Sequence, residues 1–249
     1  MPGNRMTLTE AVDATRTGDL WLFRGKTAAD RAIQTLTNSP VNHVGMAVVI
    51  EDMPPLMWHA ELGRSLPDVW AGTHLRGVQL HVLADAVRVW GDRYGQRAWL
   101  RQLDHPVTRQ MEDAVLRTVA RLDGTPFPST AGLAGRWARG RGRQRLRRLR
   151  EVGRGALRVG RSTGPGQPGG TNAADSVREQ VAVTEARDNA LESAYCAEVV
   201  ALTYQAMGLL PASRASDSYD PGSFWSGDTL DLQLGARLGD EIEVVLPPR

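Results

Sequence analysis

Apolar positions along the chain recur either continuously or at helical spacing, and the two patterns divide it into strands and helices. Leu8 to Thr17 has the pattern of a short helix, capped by Thr7 or Thr9 and closed at Gly18. Gly18-Asp19-Leu20-Trp21-Leu22-Phe23-Arg24-Gly25 reads as a turn entering a strand, too continuously apolar for an exposed edge. Ala28 to Leu36 predicts a helix whose narrow apolar face holds Ile33, Leu36 and Ala29 or Ala32, broken by Ser39-Pro40.

Val41 to Ile50 predicts a strand, Glu51-Asp52-Met53-Pro54-Pro55 a turn, and Leu56 to Glu61 the returning strand. If Ile50 faces Leu56, or the register is displaced by two residues, odd-numbered residues share one face. His43, Gly45, His59 and Glu61 then lie together, with Glu61 near His43. Gly45 has no side chain and leaves room for another element to approach. Gly77 to Leu83 predicts a further strand followed by a short helical stretch through Trp90, and Arg97 to Leu103 another strand. Thr108 to Leu122 is a clear helix, with Met111, Val115, Val119 and Leu122 on one face and Gly124 and Pro126 beyond its end. Ser193 can cap a helix on which Val199, Leu202, Ala206 and Leu209 recur, stopped by Gly208 and Pro211. Ser213 to Gly227 reads as a long polar loop, and Asp240 to Leu246 as a closing strand. Strands with flanking helices in this order predict an α+β fold.

Composition changes this picture in one place. A hydrophobic share of 41% over 249 residues fits one globular domain with an insertion at about 131–172. The net charge of +2 hides an arginine block from Arg136 to Arg161, opposed by the single acid Glu151 and followed by a Gly/Pro/Ser-rich linker. A solvated insertion is the first reading of the block. An amphipathic helix with Trp137, Leu146, Leu149 and Val152 lying on an anionic membrane surface is the second. Nucleic acid ranks last, because arginines without interleaved aromatics give only phosphate contacts. No run reaches membrane-spanning length, and Met1 to Asp19 lacks a secretory apolar core, so the expected location is the cytoplasm.

The chain has a single cysteine, which excludes an internal disulfide framework and a cysteine-rich zinc site. Cys196 falls in the first turn of the helix that Ser193 would cap, where unpaired backbone N–H groups and the helix dipole favour a thiolate. Nucleophilic cysteine chemistry also needs an imidazole base and a group that fixes its tautomer. His43 and Glu61 supply those types, and the Cys196 N–H is a candidate oxyanion donor. His59 could replace Glu61 as the orienting group, contact substrate, or be a half-buried strand histidine. His74, His81 and His105 have no metal-like spacing with one another or with carboxylates and read as structural; no metal or cofactor is implied. Glu198 reads as a helix-surface or packing residue, Asp19 as a turn cap, and Tyr195 as a core aromatic or part of a substrate cleft.

Three blocks carry a resemblance: Gly18 to Gly25, Asn42-His43-Val44-Gly45-Met46, and Tyr195-Cys196-Ala197-Glu198-Val199-Val200 with Tyr204 and Gly208 behind it. Together they resemble the circularly permuted branch of the NlpC-type papain-like superfamily, which includes the YiiX-like hydrolases and the lecithin:retinol acyltransferase-like enzymes. In that branch the histidine precedes the cysteine, as here. The resemblance implies an antiparallel sheet or half-barrel packed against the cysteine helix, a catalytic Cys196 and His43, and a third polar residue that maps to Glu61. Ala197 departs from the serine often found after the cysteine. The implied activity is hydrolysis of an amide or peptide through an acyl-enzyme, or acyl transfer or thioester cleavage on a lipid. The alternative is a non-catalytic adaptor that uses the arginine block.

Overall fold

The computed structural model describes residues 4–26, 39–126, 195–226 and 230–247. Its main sheet runs in the order β1-β9-β6-β2-β3-β4-β5. The strands are β1 (Arg5–Thr7), β2 (Leu20–Arg24), β3 (His43–Val48), β4 (Leu56–Glu61), β5 (Gly77–Val82), β6 (Arg97–Arg101) and β9 (Ile242–Val245). β7 (Leu103–Asp104) and β8 (Arg237–Leu238) form a separate two-stranded ribbon. Neighbours are antiparallel except β1 and β9, which run parallel. The described helices are α1 (Leu8–Asp13), α2 (Leu83–Tyr94), α3 (Arg109–Leu122) and α4, residues 195–206. This is the expected α+β class.

β2 explains its own continuous apolar run. Leu20 and Leu22 enter a cluster with Val44, Met46, Trp58 and Leu80, covered by Met111 and Val115 of α3 and by Cys196, Val199 and Val200 of α4. Trp21 and Phe23 enter a second cluster with Ala47, Met57 and Ala98, covered by Leu8 and Ala11 of α1 and by Leu83, Val87 and Trp90 of α2. A strand with helices on both faces has no solvent face and needs no polar alternation.

Local chemistry sets the helix ends. Thr7 and Glu10 form a capping box at the start of α1. The helix stops at Asp13, short of the expected Thr17, because Thr15 Oγ1 turns back to the Ala11 carbonyl (2.7 Å) and the Asp19 carboxylate takes the Arg16 amide (2.8 Å). Thr108 caps α3, and α2 runs past Trp90 to Tyr94, closed by Gly95, whose φ of 63° favours a residue free of a Cβ. Near its C-terminal end α4 is pinned to the sheet by Trp58 Nε1 donating to Thr203 Oγ1 (3.0 Å) and Tyr204 OH donating to the Gly18 carbonyl (2.6 Å).

The loop read as polar is tied down by its aromatics. It folds into 3-10 turns at Ser216–Ser218 and Pro221–Phe224, burying Tyr219 and Phe224. Arg101, itself buried, donates to the carbonyls of Phe224, Leu238 and Gly239 and holds the loop against β8. The expected Ala28–Leu36 helix, the Ser193 cap, and the insertion at 131–172 with its arginine block lie outside the described residues. Among the described residues no helix is long and apolar enough to cross a membrane.

Candidate functional site

The β3–β4 hairpin adopts the expected register displaced by two residues: Met46 opposes Trp58, Ala47 opposes Met57 and Val48 opposes Leu56. Ala47 and Met57 therefore share the α2 side. Gly45 serves close approach, and the group that approaches is the neighbouring strand's own side chain. A Cβ at Gly45 would lie 2.8 Å from Met57 Cγ and 3.4 Å from His59 Cβ. Gly45→Val is expected to cost about 1–3 kcal/mol by overpacking, read by chemical denaturation. A cost near zero would mean that Met57 yields freely.

β3 begins irregularly. His43 is the partner of Phe23, yet the Asn42 amide also donates to the Phe23 carbonyl (3.0 Å), so two residues oppose one, as in a β-bulge. Asn42 Oδ1 accepts from the Gly25 amide (2.7 Å) and fixes the turn-in. Val41, just before the irregularity, packs in the cluster that contains α4.

From His43 a line of three imidazoles crosses the sheet. His43 Nε2 lies 3.2 Å from His59 Nδ1, and His59 Nε2 lies 3.1 Å from His81 Nδ1. His59 opposes Gln79, and His81 opposes Met57, so the second contact runs diagonally between β4 and β5. Trp90 of α2 stands edge-on to the rings of His43 (4.8 Å) and His59 (5.1 Å). All three histidines are buried. Burial pushes His43 down to about 3, with the His81 charge adding to it, and moves His59 well below the usual histidine range in the same way. Burial lowers His81 too, and His74 adds to this, but Glu61, Asp68 and the Leu66 carbonyl act against it. The rings are neutral at neutral pH.

The group on His43 Nε2 is thus His59. Glu61, the expected orienting residue, is buried and accepts from Ser65 through its hydroxyl (2.6 Å) and its amide (3.3 Å). It also stands beside the histidines: donor atoms of His59, Glu61 and His81 all lie within 4.8 Å of one another. This corrects the reading of His81 as a histidine without a carboxylate neighbour, since the proximity arises across strands and leaves no trace in linear spacing. The donor types suit a transition metal. A metal taking His59 Nε2 and His81 Nδ1 would have to replace the hydrogen bond that joins them.

Cys196 is free of disulfide and fully buried, in the cluster on the α3/α4 side of the sheet, as is Tyr195. Glu198 is buried and accepts from Ser216 Oγ (3.4 Å), which makes it a packing residue and not a surface one. Asp19 caps its turn as expected, and its other carboxylate oxygen takes the Leu103 amide (2.8 Å). His74 is exposed and His105 half-buried. His81 and Ser65 are the members of the network that sequence reasoning missed. The available signal was polar Gln79 and His81 on one face of an otherwise apolar strand.

No protein-family model matches the chain, and no curated protein matches it. Among solved structures it is similar to the metalloprotein YiiX (DUF1105) from Escherichia coli O157:H7, at a TM-score of 0.34 and 19% identity. The match covers 46% of this chain and 54% of that one, so the chain spans about half the length of that protein. Similarity of this degree leaves fold family and function to be argued from the residues themselves.

Proposed function

We propose that the chain is a cysteine hydrolase or acyltransferase of the permuted papain-like type, with Cys196 as nucleophile, His43 as base and His59 as the group that orients it. The observation that carries the reading is the 3.2 Å contact between His43 Nε2 and His59 Nδ1. An imidazole held at Nε2 by a second side chain works through Nδ1, in a fixed ring orientation. His43 Nδ1 takes the thiol proton, and the thiolate attacks an amide, ester or thioester carbonyl. The Cys196 N–H donates to the developing oxyanion, and His43 returns the proton to the leaving group. Water or a second acceptor then resolves the acyl-enzyme. Peptide amides and lipid acyl groups are the substrate classes this chemistry takes.

Helix anchoring supports a meeting of thiol and base near the start of β3. Thr203 and Tyr204 contact Trp58 and the Gly18 carbonyl. Cys196 stands about 10 Å up the helix axis from Thr203 at ~1.5 Å per residue. Leu20 and Phe23, the latter the partner of His43, are separated along β2 by about the same distance at ~3.3 Å per residue. Because Cys196 is fully buried, an acyl donor reaches it only when the local fold opens.

The test is hydrolysis of a short-chain p-nitrophenyl ester, with intact-mass detection of an acyl adduct on Cys196. Cys196→Ala is expected to abolish the adduct, and His43→Ala to slow its formation by about 100-fold or more. Cys196 acylated at an unchanged rate in His43→Ala at neutral pH would sink the reading.

Full burial of the thiol also favours a second reading, a non-catalytic module that binds anionic membrane, or less readily nucleic acid, through the arginine-rich insertion. Deleting 131–172 separates the two. The enzyme keeps its thiol reactivity, whereas the module loses its capture by anionic vesicles.

A further inference from the structure

We infer that His59, Glu61 and His81 form a buried binding site for a divalent transition metal of the zinc class, held by His59 Nε2, His81 Nδ1 and a Glu61 carboxylate oxygen. The site stands whether or not Cys196 is a nucleophile. Its consequence for His43, drawn below, rests on the function proposed above.

Topology puts the three ligands on one face of the sheet. His59 and Glu61 are two residues apart on β4, and His81 on β5 is in register with Met57, two residues before His59. Their donor atoms lie within 4.8 Å of one another, and His59 Nε2 and His81 Nδ1 are 3.1 Å apart. Two nitrogens bound at about 2.0–2.1 Å to one tetrahedral metal stand ~3.3 Å apart. The imidazole pair is therefore already at ligation spacing. The rings need only turn until both lone pairs meet off the line between them, exchanging one neutral hydrogen bond for two coordinate bonds.

Burial and charge ask for a cation here. Glu61 is buried together with both histidines, and no arginine or lysine among the described residues forms an ion pair with it. Burying a carboxylate without a positive partner is costly, and a divalent ion supplies that partner. Two imidazoles and one carboxylate select zinc and its first-row neighbours over magnesium or calcium, which take oxygen ligands.

A supporting shell is in place. Metal-binding side chains are held by hydrogen bonds from a second layer of residues. Ser65 holds the Glu61 carboxylate through its hydroxyl (2.6 Å) and its amide (3.3 Å), and His43 Nε2 holds His59 Nδ1 (3.2 Å). Gln79, directly across from His59, is fully buried, and its Oε1 has no donor. That oxygen is an acceptor for a water in the fourth position of the metal. His81 Nε2 is likewise buried and has no well-formed hydrogen bond, so both unsatisfied side-chain atoms of β5 belong to the face that carries the ligands.

Metal on His59 Nε2 fixes the hydrogen of that ring on Nδ1, which then donates to His43 Nε2. His43 is left with its own hydrogen on Nδ1, the nitrogen that must be bare to take the thiol proton. The loaded protein is thus the resting form of the proposed enzyme, and loss of the metal activates it.

Full-length Cys196→Ala protein, in which the thiol cannot compete as a ligand, is titrated with Co2+ and dialysed against Zn2+. One ion per chain is expected, with the visible d–d bands of a Co2+ site ligated by nitrogen and oxygen. Glu61→Gln and His81→Phe in that background should each weaken binding by about 100-fold or more, while replacement of the exposed His74 by Asn leaves it unchanged. No ion bound at micromolar Zn2+ would overturn the site, a result that does not depend on any ligand variant folding. Undiminished affinity in Glu61→Gln and His81→Phe would overturn it too. In the wild type, Zn2+ should slow acylation of Cys196 by a p-nitrophenyl ester by about tenfold or more, and His81→Phe should escape this inhibition. Equal inhibition of His81→Phe would overturn the resting form. Stoichiometric metal on a wild type that is never acylated, with or without the ion, would remove the proposed function and uphold the site.

Discussion

Acidification from pH 7 to pH 4 is expected to unfold this protein, with the loss beginning at the pH where free histidine titrates. His43, His59 and His81 are held neutral by burial, His43 down to about 3, whereas in the unfolded chain each titrates near about 6.5. A lowered folded-state value means that the unfolded chain binds the extra protons. The contribution is therefore present in full above about pH 6.5 and is lost as pH falls toward the folded values. Three such groups set a ceiling of about 4 kcal/mol per pH unit, at ~1.4 for each proton. Asp123, raised by burial to about 6, and Asp19, also raised by burial, act in the opposite sense, since the folded state takes up protons on them. Three groups against two leave the slope downhill, at about 1–3 kcal/mol per pH unit through the middle of the range. Urea denaturation at stepped pH reads this directly, and a stability that is flat from pH 7 to pH 5 would show that the imidazoles are not buried as described.

Asp19→Ala is expected to cost about 3–5 kcal/mol, more than any change on the exposed surface. The carboxylate is fully buried and takes two backbone amides, Arg16 through one oxygen and Leu103 through the other, each at 2.8 Å. Removing it leaves both donors without their acceptor in a buried position. The same turn receives the Tyr204 hydroxyl on the Gly18 carbonyl, so the substitution also loosens the attachment of α4. Chemical denaturation monitored by tryptophan fluorescence measures the loss. A change below about 1 kcal/mol would mean that the turn holds by its backbone alone.

Much of this architecture was legible in the chain because periodic burial writes itself into sequence. The run Leu20-Trp21-Leu22-Phe23 announced a two-face-buried strand, and α3 and the β3–β4 hairpin followed from spacing and turn residues. β1, β7 and β8 were not legible, since two or three residues carry no period. Of the proposed site, His43 and Cys196 stood out in the sequence by type and local setting, and the hairpin register brought His59 into view. That His59 and not Glu61 would hold His43 Nε2 depends on side-chain direction at an irregular strand start, which alternation alone does not encode. His81 lies on β5 opposite Met57 and reaches His59 only diagonally, and no local pattern announces a diagonal contact.

The outer edge of β5 is covered by its own chain, with a consequence for what the sheet can recruit. The outward backbone groups of Val78 are taken by the chain at 124–125, Val78 N–H donating to the Thr125 carbonyl and Gly124 N–H to the Val78 carbonyl, both at 3.0 Å. Those of Leu80 are taken by the loop before β5, its N–H by Asp68 Oδ2 (2.8 Å) and its carbonyl by the Val69 amide (2.9 Å). At the other edge, β1 is only three residues long and its Arg5 is tied back to Glu243. Among the described residues neither margin presents a long row of unpaired peptide groups, which protects the sheet from edge-to-edge aggregation. It also leaves the described length of β5 closed to an extended polypeptide adding as a further strand.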